Sequence, residues 1–460
     1  MESADNKFTG KFDWGLYPQA ESFLLGHIET FLEENIFARK LSAQMESDTS
    51  SRFFDWIDHI ILPENIAGRL CLEEVGFQRI SDIETQDDMP VYVYPGAIFF
   101  PVLLSKNTVT EIALKPENID HFIQTVGKNV SLEGGMYASC RKAVMSSQDG
   151  CILSAVERRG SNGFVVPDTV DDSEEYGRLL ETFTRRQRHF KDASEGLHAT
   201  LSMIEDACKI VPANRVVDAF FRAERAFWEQ RNSAGRLQKA RLDKLGLGWG
   251  NHDHHTYRSS REHFQSLMKI FEALGFEYRE QFFAGEEAGW GAQVLEHPCC
   301  NIVLFADVDI AGEEKGVNFS RHKLERMDRM GTVGLWAALH GESMLEAGLH
   351  HLAGRFLFEK LRTDLKASGV STMLPFSYFD FLKQAFTEGE MWRVDKHRLN
   401  SLLEKGFITM PQYEGFLKKG AVGSHMENIQ RLQGFKGFNQ RSVSVVIKAT
   451  DPRKYGTRGS

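Results

Sequence analysis

A degenerate internal repeat constrains this chain more than any other feature. Residues 56–62 read WIDHIIL, a short apolar strand carrying Asp58-His59, and the same pair returns as Asp253-His254 in HDHHTYR at 252–258. A helix-like segment follows each, closing on Val75-Gly76-Phe77 in the first case and on Leu274-Gly275-Phe276 in the second. Strand-like runs come next, VYVYPGAIFFPVLL in one copy and CNIVLFADVDI in the other. The second helix is the better defined. Ser259-x-x-Glu262 has the form of a capping box, and Phe264, Leu267, Met268, Phe271 and Leu274 fall at helical spacing on one apolar face. Units of this kind bury their apolar faces against one another, so the fold must be read as a set of stacked repeats.

Two further copies can be traced. In VTEIALKPENIDHFIQTVG a strand ending at Leu114 leads into a helix with Ile119, Phe122, Ile123 and Val126 on one side. The strands YASCRKAVM and GCILSAVE follow, split by a turn at Ser147-Gln148-Asp149-Gly150. The fourth copy is expected to open around Met344–Leu349 and to continue through a helix with Leu352, Phe356, Leu361 and Leu365. It would finish on RSVSVVIKA at 441–449, after a helical insertion at about 375–438. The pattern divides the chain into an N-terminal helical segment (1–50), a first pair of modules (51–170), a helical connector (171–247) and a second pair (248–460). The connector carries apolar residues such as Leu180, Phe183, Phe220 and Phe227, too many for a free linker.

Composition sets the class. The chain has 460 residues and a net charge of −9, with only short basic runs, so nucleic acid is not an expected partner. No apolar run is long enough for a membrane span, and the N-terminus MESADNKFTG has no signal-peptide pattern. Six cysteines without a CxxC pair read as reduced thiols. A cytoplasmic location is expected, with homo-oligomerisation open. GxxxxGK[ST], HExxH and GxSxG are all missing from the sequence.

The chemistry concentrates in HDHHTYR. Strand alternation places His252, His254, Thr256 and Arg258 on one face and Asp253, His255 and Tyr257 on the other. Imidazoles beside a guanidinium suit a metal next to a carboxylate clamp. Two imidazoles and a carboxylate with open positions form the facial set of non-haem Fe(II) oxygenases, and an arginine can grip a substrate carboxylate with two parallel bonds.

Paired modules that open on Asp-His-apolar strands resemble the vicinal-oxygen-chelate superfamily of glyoxalases and dioxygenases. DHHTYR, followed by a helix ending in Leu-Gly-Phe, is loosely similar to its 2-oxoadipate dioxygenase/decarboxylase branch, as is LWAALHG at 335–341. The resemblance implies an α+β fold of repeated βαβββ modules forming cups, interrupted by the helical connector and the helical insertion. It implies a divalent metal, Fe(II) foremost, and a dioxygenase acting with O2 on a small 2-oxo acid or related carboxylate. His254 would be the first ligand, Glu346 and His340 the next, with Asp307, Asp309 and His252 in reserve, and Arg258 would hold the substrate. His59 with Glu111 would be the counterpart in the first half, where Ser154 stands in the place of an acid. The alternatives are a metal-dependent lyase or isomerase, extradiol-type cleavage, or a non-catalytic ligand-binding protein on the same fold.

Overall fold

A computed structural model describes residues 14–64, 66–127, 129–167, 173–283, 289–314, 316–439 and 451–455. The repeat governs the topology. In the first half, β1 (Ile57–Pro63), β2 (Gln78–Ile80), β3 (Val91–Val93) and β4 (Val102–Ser105) form one module, with the helix Ile66–Glu74 after β1. The second module has β5 (Thr110–Leu114), β6 (Leu132–Glu133), β7 (Cys140–Gln148) and β8 (Cys151–Arg158), with the helix Ile119–Thr125 after β5. Together they make one eight-stranded sheet in the order β2-β3-β4-β1-β5-β8-β7-β6. The two opening strands, β1 and β5, lie antiparallel at its centre, and each runs parallel to the closing strand of its own module.

The second half repeats this plan. Its strands are β9 (His252–Arg258), β10 (Glu277–Phe283), β11 (Trp290–His297), β12 (Ile302–Asp309), β13 (His351–Arg355), β14 (Ser377–Phe379) and β15 (Leu382–Phe386). A two-stranded ribbon, β16 (Met391–Trp392) and β17 (Ala421–Val422), precedes the closing strand β18 (His425–Arg431). The sheet order is β10-β11-β12-β9-β13-β18-β15-β14. The fold is therefore α+β, with four βαβββ modules paired into two cups.

The fourth module departs from the sequence expectation in two ways. It opens at His351 rather than at 344–349, where the chain makes a single wide turn, Ser343–Ala347. Gly348, at φ +72°, takes the left-handed conformation that lets the chain leave this turn for β13. Leu352 accordingly sits in a strand, and the helix begins at Phe358. The closing strand is His425–Arg431, inside the stretch read as insertion, while 441–449 lies outside the described residues. The excursion between β15 and β18 spans residues 387–424 and carries the helices Lys396–Glu404 and Met410–Lys419. HMENIQR was hard to read as a strand because it lacks apolar alternation. All but one of its residues are buried, and its polar side chains serve the site or bond to neighbouring elements, Asn428 to the Phe358 carbonyl at the start of the helix after β13 and Arg431 to Asp253.

Four helices, Ser173–Thr184, Ala193–Cys208, Ala213–Gln230 and Ser233–Asp243, connect the halves. The third lies under β9: Phe221 is fully buried, with its ring centroid 5.2 Å from His255 and 6.3 Å from Tyr257. That contact fixes the orientation of β9. His255 and Tyr257 point into a core continuous through both halves, so His254, Thr256 and Arg258 must point the other way, into the cup.

Candidate metal centre

Three neighbouring strands of the second sheet each send one donor into the cup. His254 comes from β9, His351 from β13 and Glu427 from β18, and all three are buried. Register brings them together: His351 lies opposite Thr256, two residues beyond His254, and Glu427 lies opposite Ala353. His254 Nε2 is 3.3 Å from His351 Nε2, and Glu427 Oε2 is 3.1 Å from each of those nitrogens.

The far side of each donor is held by a neighbour. Asp253 Oδ1 accepts from His254 Nδ1 at 3.0 Å, and Arg431 in turn clamps Asp253 through Nε and Nη2 at 3.0 and 3.1 Å. Gln384 Nε2 donates to Glu427 Oε1 at 2.8 Å. His350 Nδ1 is 3.2 Å from His351 Nδ1. Such outer contacts orient ligands and fix tautomers. With Nδ1–H of His254 committed to Asp253, its Nε2 lone pair converges with His351 Nε2 and a carboxylate oxygen. Two ring nitrogens and a carboxylate oxygen so close together in a buried site can share a cation, and Thr256 Oγ1 lies 2.8 Å from His351 Nε2 beside them. The donor set fits a divalent metal of the two-histidine, one-carboxylate type.

Without a metal, a proton takes that part. Burial alone would depress the His254 imidazole, but the carboxylates of Glu427 and Asp253 outweigh it and raise the pKa to about 9. Burial lowers His351 to about 4, against the pull of Glu427. Glu427 itself is held far below the usual carboxylate range: the His254 and His351 contacts outweigh its burial. A metal must therefore displace the proton on His254. Metal affinity is expected to fall as pH drops below about 9. Near pH 8, calorimetry in buffers of different ionisation enthalpy should show close to one proton released per metal bound. Binding with no proton release would refute a protonated His254 in the metal-free protein.

Beside the triad lies a cavity of about 60 Å³ walled by Phe282, Trp290, Phe305, Phe376, Phe386 and Phe438. Arg258 lines the same cavity and is 2% exposed. Its Nε and Nη1 have no hydrogen-bond partner. The nearest acid is Asp307, at 3.6 Å from Nε, which is too long for a hydrogen bond. Burial, partly offset by Arg258, raises the Asp307 carboxyl to about 7. Arg258 is thus a buried guanidinium with donors to spare.

The other expected ligands lie elsewhere. Glu346 sits in the turn before β13 and pairs with His189, at 2.7 Å, and with Arg398. His340 ends the helix Thr332–His340, and its Nε2 donates to the Val422 carbonyl at 3.0 Å, against Trp336 and Trp392. The structure brings neither to His254. Asp309 accepts from the backbone N–H groups of Val333 and Gly334 at 3.0 and 2.8 Å, capping that same helix. His252, expected on the same face as His254, lies outside the cup: its ring centroid is 5.1 Å from that of His255, and its Nδ1 donates to the Trp249 carbonyl at 2.9 Å, at the start of the strand where alternation is not yet set.

His351 and Glu427 were missed by the sequence reading. A signal for the first existed: His350-His351-Leu352 repeats the polar-His-apolar order of Asp58-His59-Ile60, a few residues after the assumed start. The signal for Glu427 was an arginine four residues on. ILSAVER in β8 and HMENIQR in β18 share it, and Arg158 clamps Asp58 as Arg431 clamps Asp253.

Fold and site together make two paired-module cups, with the candidate ligands in the second. No protein-family model matches the sequence, and no curated protein matches it. Among solved structures, methylmalonyl-CoA epimerase from Mycobacterium tuberculosis is similar over 39% of this chain and 87% of its own, at 12% identity and a TM-score of 0.22. A triple mutant of 4-hydroxymandelate synthase from Streptomyces coelicolor matches over 74% of this chain and 97% of its own, at 12% identity and a TM-score of 0.29. A xylose isomerase-like TIM barrel/4-hydroxyphenylpyruvate dioxygenase fusion protein is matched over 90% of this chain and 54% of its own, at 12% identity and a TM-score of 0.26. No helix among the described residues is long and apolar enough to cross a membrane.

Proposed function

We propose that the second cup is the active site of a metal-dependent enzyme, an Fe(II) dioxygenase acting on a small 2-oxo acid with a second carboxylate. The observation that carries this reading is the pairing of a two-histidine, one-carboxylate set with an unsatisfied, buried arginine in one aromatic cavity. A divalent metal held there would supply Lewis-acid polarisation of a 2-oxo acid and redox chemistry with O2. The chain's own residues do the rest. His254, His351 and Glu427 would hold the ion, and Gln384, donating to Glu427 Oε1, orients that carboxylate. Arg258 takes the far carboxylate of the substrate. Asp307, largely neutral below pH 7, leaves that guanidinium's charge for the ligand. The aromatic walls exclude water, which strengthens each of these contacts.

Oxygen uptake tests the reading. Protein loaded with Fe(II) under anaerobic conditions should consume O2 and release CO2 in equal amounts when given a five- or six-carbon 2-oxo dicarboxylic acid. Pyruvate, lacking the second carboxylate, should be turned over far more slowly. Metal-loaded protein that consumes no O2 with any 2-oxo acid would overturn the dioxygenase assignment. Turnover of the same acids without O2 would point instead to a lyase or isomerase.

A further inference from the structure

The two cups can be superposed residue by residue through their strand registers. Glu111 on β5 faces Ile61, two residues beyond His59, as His351 on β13 faces Thr256, two beyond His254. Ser154 on β8 faces Ala113, as Glu427 on β18 faces Ala353. Lys142 on β7 faces Val156, two beyond Ser154, as Gln384 on β15 faces Ile429, two beyond Glu427. The outer clamp is preserved as well. Asp58 Oδ2 lies 2.7 Å from His59 Nδ1, and Arg158 grips Asp58 through Nε and Nη2 at 2.7 Å each. The first cup thus keeps the histidine, its aspartate and the arginine behind them.

What changes is the charge at the centre. In the second cup Asp253 and Arg431 cancel, and Glu427 leaves one negative charge among two imidazoles. In the first, Asp58 and Arg158 cancel in the same way, and Glu111 leaves the same single negative charge. There Lys142 replaces Gln384, and its Nζ lies 2.7 Å from Glu111 Oε1. His59, Glu111 and Lys142 line one cavity of about 250 Å³. A glutamine donating to its carboxylate leaves room and charge for an ion, whereas an ammonium supplies the charge itself.

We propose that the first cup is a divalent-cation site of the same design whose cation is built in: the Lys142 ammonium neutralises Glu111 where a metal would. Lys142 and Ser154 are then the two positions that separate it from a working metal site. This rests on reading the second cup as a metal centre, and the test keeps the two apart. The double variant Lys142→Gln/Ser154→Glu removes the ammonium and places a carboxylate on the closing strand. It should be made in a His254→Ala background, which disables the second cup. Equilibrium dialysis against Co(II), with the visible spectrum of the bound ion, provides the readout. The triple variant should bind one Co(II) more than His254→Ala alone, and His59→Ala should abolish the gain. A folded triple variant without that extra ion overturns the proposal, whatever the unmodified chain binds. Should the triple variant fail to fold, a stability cycle decides. Lys142→Met should lower the melting temperature and Glu111→Gln in the same chain should restore it; additive effects would show that the ammonium does not serve that carboxylate.

Discussion

Alanine at His254, at His351 or at Glu427 is expected to take the metal content of the purified protein from one ion per chain to less than about a tenth. Each is one of the three candidate His, Cys, Asp or Glu donors grouped there among the described residues, and the Thr256 hydroxyl beside His351 is a weaker ligand than any of them. Loss of an outer partner alone costs roughly tenfold to a hundredfold in metal affinity, so loss of a ligand should cost more. Asp253→Asn and Gln384→Ala give the calibration. Both should retain metal at high concentration and lose it on dilution, with affinities down by about 10- to 100-fold. The alanine variants should remain folded by circular dichroism, because the donors line a cup rather than the core beneath the sheet. Full metal occupancy in any one of the three, measured by atomic absorption, would remove that residue from the site.

Arg258→Met should separate stability from binding. The guanidinium is 2% exposed, with two nitrogens unpaired. Methionine keeps much of the volume and removes a charge whose desolvation is only partly offset by Asp307 and Asp309 among the described residues. The melting temperature should therefore rise by a few degrees. Binding should move the opposite way. Truncating one partner of a buried, hydrogen-bonded charge pair costs about 2–5 kcal/mol, or roughly 30- to 3,000-fold in KM for a dicarboxylic 2-oxo acid. A monocarboxylic acid should show almost no change. Arg258→Lys should recover only part of the loss, since an ammonium cannot make the two parallel bonds. A variant destabilised by several degrees, with KM unaffected, would make Arg258 a structural residue.

Much of the fold was legible because it repeats. Asp58-His59 and Asp253-His254 mark the opening strands of two modules, and the apolar-Gly-Phe stops mark the ends of their helices. Alternation alone put His254 and Arg258 in one cavity and His255 outside it, although it misplaced His252, which packs against His255. The remaining ligands were obscured by the very properties that make them useful. A strand in which a buried carboxylate shares its seven residues with His425, Asn428, Gln430 and Arg431 has no hydrophobic alternation to find, and Glu427 lies in such a strand. His351 was displaced from view by the turn at Ser343–Ala347, whose apolar residues Met344 and Leu345 imitate the start of a strand. Glu346, in that same turn, borrowed the position of a ligand through this slip, although its carboxylate pairs with His189 and Arg398.

The excursion at 387–424 also sets a timetable for assembly. β18 does not add to an edge of the sheet; it enters between β13 and β15, both of which precede it in the chain. His254 and His351 leave the ribosome long before Glu427, so a nascent chain holds two imidazoles with no carboxylate to complete the set. Pairing across so long a loop is slow to form, because its closure entropy precedes any gain from contacts. Insertion of β18 is therefore expected to be a late step in folding of the second cup, and ion capture can only coincide with it or follow it. Metal present during refolding should leave the early phases untouched and act on the last one, pulling the sheet closed around the strand that carries Glu427.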